Sequence, residues 1–95
     1  MYYVYVLRSD EQERFYIGFT GDLQRRLNEH SLGQCYTTHR MTDARLIFYE
    51  AFSNEKDARR REGYFKTTKG KKTLKLMLQE TLCPVVVPLN QLRSV

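Results

Sequence analysis

Three tyrosines, an arginine and a histidine near the start of the chain have the types and spacing to handle a phosphate. Tyr3 and Tyr5 stand two residues apart, and Tyr16 opens the stretch YIGFTGDLQRRLNEH, which ends at His30 and contains Arg26. If a helix begins near Asp22, the four-residue spacing stacks Arg26 and His30 one turn apart on a single polar, cationic face. A guanidinium offers a planar fork of donors that matches phosphate oxygens, and phenols can hold or exchange a proton beside it. Further along, Ala58, Glu62 and Phe65 share helical spacing, so the Glu62 carboxylate lies near an apolar stripe. A carboxylate there needs a partner or a metal.

The elements that position these groups can be read in order. Residues 1–9 (MYYVYVLRS) are rich in Tyr and Val and free of breakers, which reads as a strand with Tyr3, Tyr5 and Leu7 on one side and Tyr2, Val4, Val6 and Arg8 on the other. Residues 14–19 (RFYIGF) form a second strand, joined by a link short enough for an antiparallel hairpin. Gly18 inside it marks either a close approach of backbone or ligand, or a bulge, which is the commoner cause. Thr20 or Asp22 can cap the next helix, with Leu23 and Leu27 as its buried stripe and Gly33 as its stop. Residues 34–43 lack periodicity and read as a loop carrying Thr37, Thr38, His39 and Arg40. A third strand follows over 44–52, and Ser53 or Asn54 opens a second helix with Glu55 and Asp57 in its first turn, as the helix dipole favours. The basic, glycine-containing run 67–72 (TTKGKK) reads as a break before a third helix over 73–82, with Leu74, Met77 and Leu78 inward and Cys83-Pro84 as its end. The apolar tail, residues 83–95, is expected along a sheet edge or against a second copy or protein partner.

Composition narrows the class. Ninety-five residues, 41% hydrophobic and 28% charged, suit one globular domain spanning 1–95, with its core over about 2–80. Sixteen Lys and Arg against eleven Asp and Glu give a net charge of +5, which favours polyanionic partners. Cys35 and Cys83 fit no metal-ligand spacing and read as reduced thiols, so a cytoplasmic setting is expected. No apolar run approaches the ~18 residues of a membrane span, and no export leader is evident at Met1.

These residues and their order resemble the GIY-YIG nuclease superfamily, in particular its small single-domain members. The second signature triplet stands unaltered as Tyr16-Ile17-Gly18, and the first appears as Tyr3-Val4-Tyr5 with tyrosine in place of glycine. The family arginine falls on Arg26, its histidine on His30 and its glutamate on Glu62, within ARRREGYFK. The resemblance covers roughly residues 2–80. It implies an α/β (α+β) domain in which a three-stranded, largely antiparallel sheet is flanked by three helices, in the order β-β-α-β-α-α. It also implies one-metal hydrolysis of DNA phosphodiesters, in repair or recombination.

The roles implied by the resemblance suit these residue types. Tyr5 would be the general base, which requires lowering a phenol pKa from about 10. Tyr16 would orient water or phosphate, Arg26 would grip the phosphate through two hydrogen bonds, and His30 would assist Tyr5 or the phosphate. Glu62 would hold one Mg²⁺ or Mn²⁺ ion, whose remaining ligands are waters and substrate oxygens. Arg25, Arg26, Lys69, Lys71 and Lys72 would bind the nucleic acid. The sequence departs from the family pattern at Phe19, where repair members often carry a basic residue, and in lacking an asparagine after the glutamate; Lys69, Lys71 or Lys72 can supply charge there.

Taken singly, each feature has a plainer account: strand tyrosines, a solvated helix face, a Glu62 paired with Arg59 or Lys66, a solubilising run of lysines. Taken jointly these accounts weaken, because three separate elements would each have to imitate the same site. The competing functional class is a DNA-binding or partner-recruited module that keeps the fold without the chemistry.

Overall fold

The computed structural model describes residues 1–31 and 43–83. The expected helix stop at Gly33, the loop residues Cys35, Thr37, Thr38, His39 and Arg40, and the tail from Pro84 onward lie outside the described residues. Strand β1 (Tyr2–Ser9) is followed by β2 (Arg14–Thr20), α1 (Leu23–Ser31), β3 (Arg45–Phe52), α2 (Glu55–Phe65) and α3 (Thr68–Met77). The sheet runs β2-β1-β3, and β1 is antiparallel to both neighbours. The β1–β2 turn closes with Glu13 in the left-handed region (φ 52°) and its amide donating to the Asp10 carbonyl at 3.3 Å.

Strand β1 is central because it has no face to spare for water. Val4, Tyr5, Val6 and Leu7 are all buried, the pattern of a strand covered on both sides. Val4 and Val6 join Ile17 of β2, Ala58 and Phe65 of α2 and Leu74 of α3 in one apolar cluster. Full burial of each large member stabilises the fold by about 1.5–3 kcal/mol. Tyr5 points the opposite way, towards the side that carries the candidate chemistry. The register between β1 and β3 shifts at Val6/Leu7, whereas β1 and β2 pair without interruption from Tyr3↔Thr20 to Ser9↔Arg14.

Helix α2 begins at Asn54, whose side chain accepts the Lys56 amide at 2.8 Å, so Asn54 rather than Ser53 is the cap. A clamp fixes α2 to β3: Arg61 donates to both oxygens of Glu50, at 2.9 and 3.4 Å, while its guanidinium lies 4.3 Å from the Phe65 ring centroid.

Helix α3 differs from the sequence expectation. It starts at Thr68, not Thr73, because Thr67 caps it by accepting the Gly70 amide at 3.0 Å. Gly70 is not a breaker but a crossing point. A Cβ there would overlap the Tyr64 carbonyl oxygen and lie 2.7 Å from the Phe65 Cα, so the glycine lets α3 lie directly against the end of α2. The helix also stops earlier, at Met77, before Cys83-Pro84 is reached. Leu74 is buried and Leu78 packs on the core as expected, but Met77 is 44% exposed.

Candidate active site

Alternation along β1 aims the phenol of Tyr5 away from the apolar cluster. Its neighbours in the sheet are Gly18 on β2 and Tyr49 on β3. The Tyr5 ring lies across Gly18, where a Cβ would overlap the ring's Cζ and hydroxyl and sit 2.8 Å from Cε1. The uninterrupted β1–β2 register rules out a bulge at Gly18, which leaves close approach as the reason for the glycine.

Helix α1 is held in the rotation that brings its cationic face to this phenol. Thr20 Oγ1 accepts the Asp22 amide at 3.1 Å, and Asp22 Oδ1 accepts the Arg25 amide at 3.1 Å. Asp22 is therefore the cap and Thr20 braces it. Arg26 Nε then donates to the Tyr5 hydroxyl at 3.2 Å, and the same hydroxyl lies 3.0 Å from His30 Nε2. Tyr16 closes the group, its ring centroid 5.2 Å from that of His30 at an edge-on angle of 69° and 6.4 Å from that of Tyr5. Tyr5 is fully buried.

The protons can be placed. Burial lowers the pKa of His30 from its ordinary 6.5, the nearby Arg26 guanidinium lowers it further, and Glu29 partly opposes both. His30 is thus neutral near pH 7. Because Arg26 can only donate, the Tyr5 hydroxyl accepts from Arg26; with the imidazole proton on Nδ1, the same hydroxyl donates to His30 Nε2. Arg26 also donates through Nη1 to Glu29 at 2.9 Å, a partner the sequence reading missed despite its three-residue spacing. A two-pronged grip on a phosphate would replace that contact.

Glu62 extends from α2, and its carboxylate, 19% exposed, pairs with Lys66 Nζ at 3.2 Å. Of the two partners considered, Lys66 is the one found; Arg59 pairs with Glu55 at 2.7 Å and covers the Phe19 ring at 4.2 Å. No hydrogen bond joins Glu62 to the Tyr5 cluster.

Residues 1–75 match the model of the GIY-YIG catalytic domain. The chain belongs to the GIY-YIG family. It is 32% identical over 84 residues to a UPF0213 protein of Clostridium perfringens, covering 86% of this chain and 88% of that one. It is 37% identical over 82 residues to a UPF0213 protein of Natronomonas pharaonis, covering 84% and 94%. The solution NMR structure of a UPF0213 protein from Bacillus halodurans superposes with a TM-score of 0.52 at 27% identity, covering 93% of this chain and all of that one. The chain thus has a nuclease-type fold and resembles the small members of the GIY-YIG family.

Of the family positions, Tyr5, Tyr16, Arg26 and His30 converge on one face, and Glu62 extends from α2 with Lys66 as its ion-pair partner. Arg25 is exposed on α1, while Lys69, Lys71 and Lys72 are exposed on α3, which packs on α2 on the other side of the sheet. Among the described residues no group of three or more His, Cys, Asp or Glu could hold a metal ion. The donor set fits an ion bound through one carboxylate and completed by water and phosphate oxygens, as Mg²⁺ prefers. The Lys66 ammonium on Glu62 sits on an exposed, flexible side chain that can swing aside at small cost. Among the described residues no helix is long and apolar enough to cross a membrane.

Proposed function

We propose that this protein is a metal-dependent endonuclease that hydrolyses DNA phosphodiester bonds in the cytoplasm, in repair or recombination. The observation that carries the reading is the Tyr5 hydroxyl of a buried residue held between Arg26 Nε, which donates to it at 3.2 Å, and His30 Nε2, 3.0 Å away. A phenol so placed can take a proton from an attacking water while passing its own to His30, so no free phenolate need accumulate. Neutral His30 is the form able to receive that proton. Arg26 binds the phosphate and stabilises the charge that develops on its oxygens. Tyr16, packed edge-on against His30, restricts where water and phosphate can sit. An ion of Mg²⁺ or Mn²⁺ on Glu62 would neutralise phosphate charge during the displacement.

The test is incubation of the purified protein with single-stranded, duplex and branched DNA in Mg²⁺ or Mn²⁺. Cleavage is expected, falling about a hundredfold or more in Arg26→Ala, the scale of losing one charge-stabilising donor, and strongly in Glu62→Ala. Cleavage undiminished by either change, or none by the parent protein, refutes the reading. The Glu62–Lys66 ion pair favours a second reading, a DNA-binding module without chemistry. Under it, DNA is bound and never cut.

A further inference from the structure

The sheet face that carries Tyr5 continues into a concavity of about 540 Å³ that the cluster does not use. Its floor is Tyr3 and Tyr49, and Leu23, Gln24 and Leu27 of α1 form its wall. Asp22 stands at its end, with one carboxylate oxygen committed to capping α1. Tyr49 is the β3 residue directly opposite Tyr5, and Tyr3 is two residues from Tyr5 on the same strand, so both adjoin the phenol that Arg26 contacts.

An aromatic so close to the core would ordinarily be covered, yet Tyr49 is 52% exposed. Its ring centroid is 6.2 Å from that of Tyr3 with the planes tilted by 58°, so neither ring covers the face of the other. A base sandwiched between them would need parallel rings about 7 Å apart, twice the ~3.4 Å stacking distance. The tilt permits stacking on the open face of Tyr49 instead. Leu23 and Leu27 offer apolar edges to such a base, and Gln24, exposed at the rim, has an amide that can both donate to and accept from base edges.

The geometry points to a subsite in which Tyr49, supported by Tyr3, stacks the nucleobase next to the phosphate held by Arg26. The inference rests on the reading of Arg26 as the phosphate ligand. It makes the preferred substrate a nucleic acid with an unpaired base at that position, because a base inside a duplex has both faces covered by its neighbours. The cationic α1 residues beside the groove and the net charge of +5 suit the polyanionic strand. The ring stacks on any base, so the subsite selects strand state over sequence.

The test measures binding by the full-length protein without divalent metal, so that no strand is cut. Oligonucleotides with a fluorescent 2-aminopurine are presented as single-stranded DNA, as the same sequence in duplex, and as single-stranded RNA. Single strands are expected to be bound with quenching of the probe, and Tyr49→Ala to weaken that binding about five- to a hundredfold, the range for a lost stacking partner. Tyr49→Phe should retain affinity and quenching. Tyr49→Leu, which fills space without a π face, should not, and this separates stacking from packing. Duplex affinity should be nearly the same in all four proteins. Equal losses on DNA and RNA assign the subsite to the base alone, and a loss confined to one assigns it to that sugar as well. Single-strand binding unchanged by Tyr49→Ala, restored by Tyr49→Leu, or reduced equally on duplex overturns the inference. Failure of the parent protein to cut DNA in Mg²⁺ would sink the hydrolytic reading and leave this binding comparison intact.

Discussion

Protonation of His30 is opposed first by burial and then by Arg26, with Glu29 pulling the other way, and this ties the candidate chemistry to pH. In the unfolded chain His30 titrates near its ordinary 6.5; in the folded chain it binds its proton only at lower pH. Between those two values the unfolded state holds more protons, so stability rises with pH there. The contribution is therefore complete above 6.5 and is lost as pH falls towards the folded value. Asp43 shifts in the same direction but in a separate window: the Glu11 amide and the Ser9 hydroxyl hold its carboxyl below 3.8. Urea unfolding at pH 7.5 and pH 5.5 should show the parent protein losing more stability between the two than His30→Gln, which has no proton to gain. Equal losses would mean that His30 is not kept neutral by the fold. Protonation leaves His30 without a free ring nitrogen to receive a proton from Tyr5, so any hydrolysis should decline over the same acid range.

At the scale of elements, two helical glycines should behave oppositely. Gly63 lies exposed in α2, and a Cβ there would meet nothing within 4 Å. Gly63→Ala should stabilise the protein by about 0.5–1 kcal/mol, through helix propensity alone. Gly70→Ala gains the same propensity but drives a methyl into the backbone of Tyr64 and Phe65, and should destabilise by about 1–3 kcal/mol net. Thermal or urea unfolding of the two variants checks this, and a stabilised Gly70→Ala would show that the α2–α3 crossing is not tight. The pair also marks what could be read from sequence. Strands and the first two helices were legible because alternation in MYYVYVLRS and the Asp22 and Asn54 caps are local signals. The start of α3 was not, because glycine penalises a helix in isolation and only the crossing with α2 explains its presence. Convergence of Tyr5, Tyr16, Arg26 and His30 followed from residue spacing once the hairpin and the α1 cap were placed. Tyr49 escaped notice because its position beside Tyr5 depends on the β1–β3 register, which no local pattern encodes. The pairing of Glu62 with Lys66 was one of two choices that spacing left open; the other candidate, Arg59, pairs with Glu55 and lies over the Phe19 ring.

For the whole molecule, the cations are divided between two sides of the sheet, and the substrate must reach both if both take part. Arg25 and Arg26 sit on α1 beside the tyrosines, while Lys69, Lys71 and Lys72 sit on α3, beyond α2. A strand of about four nucleotides bound at Tyr5 is expected to touch the first set only, whereas one of about twenty can pass round the sheet to the second. Each phosphate contact on a single strand contributes about 0.7 to the slope of log affinity against log salt. Arg25→Gln should therefore lower the slope by about 0.7 with either length. The triple change Lys69→Gln, Lys71→Gln, Lys72→Gln should lower it by about 2 with the long strand and leave it unaltered with the short one. Titrations at several salt concentrations with both lengths measure this directly. A slope unaffected by the triple change on the long strand would confine the nucleic acid to the tyrosine face and leave the α3 lysines as a solvated surface. Proportional weakening on both lengths would instead mean that they act through long-range attraction, which raises encounter without fixing a path.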